Sequence, residues 1–134
     1  MNIRDVTPGR TSILEKSVPL ETGDLHWADL DGYRGTEQGG RRPVLIVSEN
    51  FYNSRSNRVI VCPISSRARG WQTEVRLSDG LLISGVILTD QIRAIDRQSR
   101  IFDFIARVPD ADLYAVREVL GLLMGIFKIA SDDT

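Results

Sequence analysis

Cysteine and histidine are almost absent from this chain of 134 residues. Cys62 and His26 are the single members of their types, so the sequence offers no internal disulfide, no ordinary Cys/His zinc site and no pair of histidines for acid–base catalysis. Any chemistry must therefore use other side chains. We expect Cys62, which lies in an apolar run, to be a small core residue and His26 to have a structural or surface role.

Long apolar stretches are also missing. The longest, at residues 44–47 and 119–124, fall far short of the ~20 residues that a membrane span requires. The first 22 residues carry several charges and no apolar run of signal-peptide length, so we expect a cytoplasmic protein. With 42% hydrophobic and 26% charged residues, the composition is typical of one folded domain rather than of a disordered chain.

Lysine is scarce as well, because 15 of the 17 basic residues are arginine. The formal net charge is −1, but residues 34–69 hold seven arginines against Glu37 and Glu49, so this segment is +5 and the remainder is −6. Arginine makes planar, paired contacts to phosphate or carboxylate. The basic segment favours an anionic ligand, and a bias of codon usage toward arginine is the alternative.

Short runs rich in β-branched residues, separated by polar turns such as residues 53–57, predict an antiparallel sheet. The predicted strands cover residues 23–31, 43–47, 59–64, 73–77, 85–88 and 101–108. Helical spacing appears only near the end of the chain and predicts an amphipathic helix over residues 110–127. Its apolar positions are Leu113, Val116, Leu120, Leu123 and Phe127. We therefore expect an α+β domain, a small and strongly bent antiparallel sheet or barrel with one helix packed alongside.

Three polar segments follow or join the apolar runs and are candidates for a binding site. The first, RGTEQGGRRP at residues 34–43, combines glycines that permit unusual backbone conformations with charged side chains, which is typical of a mobile binding loop. The others are PISSR at residues 63–67 and DQIR at residues 90–93, each close behind a strand that can aim polar groups into a common cleft. Taken singly, each segment also fits an ordinary loop, cap or turn.

Taken together, these segments and their neighbours follow the order of motifs in the MazF/PemK toxin family, which the chain resembles from about Gly23 to about Ile126. The motifs are Gly23-Asp24, Asp29-Leu30-Asp31, GTEQGG at 35–40, RPVL at 42–45, PISS at 63–66 and DQIR at 90–93. The resemblance implies a small SH3-like antiparallel β-barrel of the CcdB/PemK-like kind with a C-terminal amphipathic helix. We expect residues 23–128 to form this toxin domain, residues 1–22 to be a loosely ordered N-terminal extension, and residues 129–134 to be a C-terminal tail.

The same resemblance implies a toxin of a toxin–antitoxin pair that acts as a sequence-selective, metal-independent endoribonuclease. Its expected partners are single-stranded RNA, a cognate antitoxin and a second copy of the chain in a homodimer, and no cofactor is expected. A basic groove would dock an antitoxin segment rich in acidic and apolar residues. Two alternatives stay open, namely a CcdB-like toxin that inhibits gyrase and a catalytically silent barrel that binds RNA.

Individual roles are implied by the resemblance as well. Arg42 matches the family's catalytic arginine, and Ser65 stands where the family usually has a catalytic threonine. Leu88 stands where some PemK-type members carry a catalytic arginine, so that role does not transfer. Glu37 and Asp90 are candidate general bases. The expected RNA-binding residues are Thr36, Gln38, Ser66, Arg67, Arg69, Gln91 and Arg93.

These residue types suit cleavage of RNA by attack of its 2′-hydroxyl on the adjacent phosphorus. Arg42 can stabilise the phosphorane-like transition state, because a guanidinium stays charged and offers paired donors, and Ser65 can donate to a non-bridging oxygen. The sequence does not choose between Glu37 and Asp90 as the general base. The expected products carry a 2′,3′-cyclic phosphate and a 5′-hydroxyl. Trp71 is expected to be a partly buried core aromatic, with stacking on a base as the alternative.

Overall fold

The computed structural model describes residues 19–31 and 39–129, which form an antiparallel sheet and helices. The strands are β1 (Asp24–Asp29), β2 (Arg41–Ile46), β3 (Arg58–Ser65), β4 (Glu74–Arg76), β5 (Val86–Leu88), β6 (Arg93–Asp96) and β7 (Ile101–Arg107). The helices are α1 (Asn50–Asn53), α2 (Arg97–Arg100) and α3 (Asp110–Leu123), and a 3₁₀ turn spans Thr89–Gln91. The α+β class expected from the sequence is confirmed. No helix within these two ranges has the length and hydropathy to span a bilayer.

The eight-residue strand β3 is the centre of the sheet. The strand order is β4-β5-β3-β2-β1-β7, and β6 also pairs with β3. On one edge of β3, the first half pairs with β6 and the end pairs with β5, so that Ser65 lies opposite Val86. On the other edge, the register with β2 pairs Val44 with Pro63. Arg42 and Ser65 each lie two residues beyond this pair, at the same end of the sheet.

Apolar side chains form two clusters, because buried residues of the central strands point to both faces of the sheet. One cluster joins β1, β2, β3, β6 and β7, and it also contains Leu20, which lies within the residues predicted as the N-terminal extension. The other cluster contains Leu113 and Val116 of α3 packed on the sheet, together with Cys62. Burial raises the pKa of the Cys62 thiol to about 12, with a further contribution from the negative charge of Asp90. The expectation that Cys62 is a core residue is confirmed.

The C-terminal helix α3 ends earlier than its apolar spacing predicts. The predicted helix runs to Phe127, but α3 ends at Leu123, and Gly125 adopts a left-handed φ of 77° that reverses the chain. The backbone N–H groups of Ile126 and Phe127 then donate to the carbonyl of Gly121, at 2.8 and 3.0 Å. Such a left-handed glycine closes a helix by satisfying its last carbonyls. The ring of Phe127 folds back over Gly121, where a Cβ would overlap it.

Six predicted strands are confirmed, with ends that move by a few residues. Strand β6 was not predicted, because its sequence RAID has neither an apolar run nor a clear alternation, although its Ile95 is buried in the sheet. The short helices α1 and α2 were not predicted either. Residues 1–18, which make up most of the predicted N-terminal extension, lie outside the described residues.

Candidate active site

Arg42 lies at the start of β2, and its guanidinium donates hydrogen bonds to two backbone carbonyls. Its Nε donates to the carbonyl of Gly39 at 3.0 Å, and its Nη1 donates to the carbonyl of Ile64 at 3.5 Å. A guanidinium has five N–H groups, so the remaining ones are available to a substrate oxygen. The side chain is half-buried, which lets it meet solvent while its position is fixed by the backbone around it.

A surface groove of about 300 Å³ opens beside Arg42. It is lined by Trp27, Arg41, Arg42, Pro43, Ile64, Ser66, Ile83 and Ser84. The guanidinium of Arg41 stacks on the ring of Phe102, 4.0 Å from its centroid, which fixes the plane of the guanidinium without using its N–H groups. Two adjacent arginines therefore present donors to the same groove.

Ser65 is the last residue of β3, and its hydroxyl is oriented by the turn that follows. Its Oγ accepts the backbone N–H of Arg67 at 3.1 Å and donates to the carbonyl of Arg67 at 3.2 Å. The side chain opens on a second, smaller depression lined by Ser65, Arg67, Arg69, Trp71, Glu74, Leu88 and Gln91. Ser65 and Arg42 thus face neighbouring grooves, and the peptide between Ile64 and Ser65 lies between them.

The DQIR motif is divided between two places. Gln91 joins Ser65 in the smaller depression. Asp90 is exposed on the 3₁₀ turn, and its charge is felt by the thiol of Cys62 in the adjacent strand. Arg93 begins β6, and its pKa is lowered by burial and by the positive charge of Arg100, while Asp29 of β1 opposes the shift. Arg93 therefore lies near the end of β1 and does not line either groove.

The structure describes the glycine-bearing loop only at its end. Thr36, Glu37 and Gln38, which were expected to border the substrate, lie outside the described residues. The described end is fixed by two hydrogen bonds: Gly39 accepts from Arg42 at 3.0 Å, and the carbonyl of Gly40 accepts from Leu30 at 2.8 Å. The loop therefore returns to the sheet at Arg42.

Positive charge is concentrated at both grooves. Arg41 and Arg42 line one groove, and Arg67 and Arg69 line the other. None of these four arginines forms an ion pair with a carboxylate within residues 19–31 and 39–129. Within the same residues, no group of three or more His, Cys, Asp or Glu side chains lies close enough to hold a metal ion. Unpaired arginines in partly enclosed grooves attract phosphate groups.

Residues 21–124 match the family described as PemK-like, MazF-like toxin of type II toxin-antitoxin system. The chain belongs to this family. It is 31% identical over 113 residues to the endoribonuclease toxin MazF of Escherichia coli K12, an alignment that covers 84% of this chain and 100% of that protein. The resemblance expected from the motifs is therefore confirmed.

Solved structures of the PemK/MazF family share the fold. MazF from Deinococcus radiodurans superposes with a TM-score of 0.73 at 37% identity, covering 81% of this chain and 98% of that one. A MazE-MazF structure from the same organism gives a TM-score of 0.67 at 34% identity, covering 81% of this chain and 97% of that one. The sheet and helix arrangement described above is thus the fold of a MazF protein.

Three lining residues of the Arg42 groove in this PemK/MazF-family chain, Trp27, Ile83 and Ser84, lie outside the segments predicted to form a binding site. Arg41 lies within the predicted segment 34–43, although no separate role was assigned to it. The Arg41-Arg42 pair and the exposed position of Trp27 in an otherwise buried strand are signals that sequence reasoning can use. Ile83 and Ser84 lie in the loop before β5, and nothing in their sequence context indicates that the loop reaches the groove.

The expectation that Trp71 is a partly buried core aromatic is wrong. Its side chain is 47% exposed, and the guanidinium of Arg69 lies 5.6 Å from the centroid of its ring. The predicted strand began at Thr73, but β4 begins at Glu74, after a turn in which the N–H of Glu74 donates to the carbonyl of Trp71. Trp71 therefore precedes the sheet and does not enter its core. His26, by contrast, is buried in β1, in line with a structural role.

Proposed function

We propose that this chain is the toxin of a toxin–antitoxin pair and cleaves single-stranded RNA. The observation that carries the proposal is the hydrogen bond from Arg42 to the carbonyl of Ile64, because it holds a charged phosphate-binding group next to the peptide of Ser65. Membership of the PemK/MazF toxin family and the 31% identity to an endoribonuclease toxin support it.

The proposed reaction uses the RNA's own nucleophile. A general base removes the proton from a 2′-hydroxyl, the 2′-oxygen attacks the adjacent phosphorus, and the 5′-oxygen leaves with a proton. The products are a 2′,3′-cyclic phosphate and a 5′-hydroxyl. Arg42 stabilises the extra negative charge with paired donors, and Ser65 exchanges its hydrogen bond to Arg67 for one to a non-bridging oxygen. No metal or cofactor is part of this route, and Glu37 or Asp90 acts as the base.

The substrate is proposed to be single-stranded because base edges of RNA are open to reading only when they are unpaired. Ser66, Arg67, Arg69 and Gln91 are proposed to contact the RNA at the two grooves, where the structure supports this role. Thr36 and Gln38 are proposed to contact it from the loop before Arg41. Arg93 is also proposed to contact the RNA. Its position near Asp29 and Arg100 means that this contact would be made at the end of β1 and not beside Ser65.

Closure of the sheet into an SH3-like barrel is part of the proposal. Strand β6 pairs with β3, yet the negative charge of Asp29 in β1 acts on the pKa of Arg93 in β6. The cluster that joins β1, β2, β3, β6 and β7 is then the interior of the barrel. Residues 23–128 are the proposed toxin domain, with residues 1–22 as an extension and residues 129–134 as a tail, in a cytoplasmic protein.

A homodimer is proposed from the exposed apolar residues at and beyond the end of α3. Leu123, Met124, Ile126 and Ile129 are all exposed and follow closely along the chain. Clusters of this kind on soluble proteins mark interaction surfaces. The second proposed partner is a cognate antitoxin that places an acidic and apolar segment in the basic grooves and competes with RNA, supported by the similarity to a MazE-MazF structure.

The test is cleavage of a long, mixed-sequence single-stranded RNA in EDTA. Wild-type protein should cut at a short recurring sequence and leave 5′-hydroxyl ends. Arg42→Ala should lower the rate by about a hundredfold or more, because one transition-state donor is lost, and Arg42→Lys should restore little because an ammonium lacks the paired geometry. Arg58→Ala, at the opposite end of β3, is the matched control and should cut like the wild type.

Other outcomes separate the alternatives. Ends bearing a 5′-phosphate would overturn the 2′-hydroxyl route. Intact RNA with tight binding would indicate a silent RNA-binding protein. Intact RNA without binding would shift the assignment to a gyrase-directed toxin, which a supercoiling assay with purified gyrase would then detect.

A further inference from the structure

The segment between β3 and β4 has little regular structure, yet it is fixed at several points. At its start, the hydroxyl of Ser65 bonds to both backbone groups of Arg67. In its middle, the carboxylate of Glu74 accepts the N–H groups of Arg69 and Gly70, at 3.1 to 3.2 Å. At its end, the hydroxyl of Thr89 donates to the carbonyl of Thr73 at 2.6 Å. A surface loop with this many internal bonds is held in one conformation before any ligand arrives.

What this fixed loop presents is the indole of Trp71. The ring is half exposed and belongs to neither apolar cluster of the core. It lines the same depression as Ser65, Arg67 and Gln91. An exposed indole normally costs free energy through its contact with water. The guanidinium of Arg69 lies 5.6 Å from the centroid of this ring, and no carboxylate among the described residues forms an ion pair with it. An indole held outward next to such a charge suits a ligand with a flat apolar face and a nearby negative charge.

We infer that Trp71 is a stacking platform for one unpaired base of the RNA, in the nucleotide bound beside Ser65. The inference rests on the proposed function and deepens it. Stacking on an aromatic ring tolerates any base, so Trp71 supplies affinity, while the amide of Gln91 in the same depression reads the base edge. Arg67 and Arg69 meet the phosphates on either side.

Glu74 is a positioning residue for this platform. Its carboxylate binds the protein's own loop, because it accepts the backbone N–H groups of Arg69 and Gly70. Those bonds set the turn at Gly70, whose φ of 79° is in the left-handed region, and the turn sets the direction of Trp71. Loss of the carboxylate should therefore release the indole without removing it.

The experiment measures binding of an RNA oligonucleotide that spans the mapped cut site and carries a 2′-O-methyl group on the attacking nucleotide, so that it stays intact. An abasic nucleotide is placed at each position in turn. Wild-type protein should lose about 5- to 150-fold in affinity at one position next to the cut. Trp71→Leu should bind the complete oligonucleotide more weakly than the wild type does, by a similar factor. An abasic nucleotide at that one position should then cause no further loss of affinity in Trp71→Leu. Trp71→Phe should recover most of the affinity.

Controls and the second variant keep the test independent of folding. Phe51→Leu removes an aromatic that is 69% exposed on α1, far along the chain from the loop, and should bind and cut like the wild type. In Trp71→Leu, KM for cleavage should rise while kcat changes by less than about threefold, because stacking is ordinary binding energy. In Glu74→Ala, as in Trp71→Leu, an abasic nucleotide at that same position should no longer reduce the affinity. Glu118 is an exposed carboxylate on α3, and Glu118→Ala should respond to the abasic nucleotide like the wild type.

Two results would overturn the inference. One is affinity of Trp71→Leu within twofold of the wild type. The other is equal loss at every abasic position in both proteins, which would show that no base is coupled to Trp71. The two proposals fail in different ways. RNA that the wild type never cuts removes the nuclease and the inference together, whereas a Trp71→Leu variant that binds within twofold of the wild type and cuts with an unchanged KM removes the inference alone.

Discussion

The guanidinium of Arg42 donates to the backbone carbonyl of Ile64, and Ile64 is the residue directly before Ser65. The guanidinium on β2 is thereby hydrogen-bonded to the peptide unit from which the Ser65 side chain extends on β3. Their separation is set by strand pairing rather than by the rotamers of a long side chain. Preorganised donors of this kind lose little free energy to reorganisation when charge develops on a substrate.

Removal of the Ser65 hydroxyl should reduce cleavage with little effect on folding. Ser65→Ala should lower kcat by about a hundredfold, the usual cost of one transition-state donor, and Ser65→Thr should keep most of the activity. Single-turnover cleavage of a short RNA measures the effect. Ser54→Ala is the matched control, since the Ser54 hydroxyl also donates to a nearby carbonyl at 3.2 Å, on α1. Equal rates for Ser65→Ala and the wild type would remove Ser65 from the mechanism.

Gly85 allows the start of β5 to approach the backbone of Ser65. Its φ is 139°, and a Cβ at this position would overlap the carbonyl oxygen of Ser65. Gly85→Ala should therefore displace the Ser65–Ser66 peptide, which adjoins the Ile64–Ser65 peptide that Arg42 contacts. A displacement near 1 Å costs on the order of a hundredfold in rate, which initial-rate assays would detect.

The control for this prediction is Gly80→Ala. Gly80 also has a positive φ, of 89°, but nothing lies within 4 Å of a Cβ built there. Its variant should lose about 1–3 kcal/mol of unfolding free energy through backbone strain and keep normal cleavage at 25 °C. Gly85→Ala should lose about 1–3 kcal/mol more because it also clashes. Similar activity in both variants would argue against the close approach to Ser65.

The carboxylate of Asp112 joins the start of α3 to the turn after β4. It accepts the backbone N–H of Ser78 at 2.9 Å and the Ser78 hydroxyl at 2.5 Å, and it is buried. Asp112→Ala should lower the free energy of unfolding by about 2–4 kcal/mol, because two hydrogen bonds to a charged acceptor are lost. Asp110→Ala, in the same first turn but exposed, should cost about 0.3–1 kcal/mol through the helix dipole alone. Urea unfolding at neutral pH measures both.

Protonation of His26 should make the fold less stable below neutral pH. The ring is buried, its Nδ1 lies 2.9 Å from the carbonyl of Phe102, and its Nε2 has no hydrogen-bond partner among the described residues. Burial lowers the pKa of His26 from its usual 6.5, against the smaller effects of Phe102, Asp24 and Asp103. The unfolded chain therefore takes up this proton at higher pH than the folded chain, so stability is full above about pH 6.5 and falls as the pH drops below it.

Unfolding free energies measured from pH 8 to pH 5 test this prediction. Over that range the Asp and Glu residues of the unfolded chain, with pKa values near 4, change little. The wild type should lose stability steadily below pH 6.5, and His26→Gln, which keeps a hydrogen-bonding group, should show a flatter profile. Parallel profiles for the two proteins would mean that another group titrates in this window.

The fold could be predicted from local pattern where apolar residues formed a run or a period. Strand β3 was indicated by its run of β-branched residues, and helix α3 by its apolar spacing. Strand β6 has four residues, and only its pairing with β3 makes it a strand. The end of α3 was misjudged because Phe127 continues the helical spacing in sequence, while Gly125 turns the chain back in space.

The candidate site shows the same division. Arg42 and Ser65 were predicted from motifs, and the antiparallel pairing of β2 with β3 explains why motifs 23 positions apart lie at the same end of the sheet, in neighbouring grooves. The exposure of Trp71 depends on the turn before β4, in which the N–H of Glu74 donates to the carbonyl of Trp71. An aromatic residue close to a predicted strand gives no local sign of that turn. Ile83 and Ser84 line the Arg42 groove because of the path that the loop before β5 takes. The sequence around these two residues does not indicate that path.

The burial of Cys62 makes the native chain chemically silent toward thiol reagents. A thiol with a pKa of about 12 is almost wholly protonated at neutral pH, and the thiolate is the reactive form. Alkylating agents should leave this thiol unmodified in the folded protein, whereas the thiol of the unfolded chain is exposed and reactive. Reaction of this one thiol therefore reports the unfolded fraction, and a cysteine introduced on the surface would be the sole thiol labelled in the native molecule.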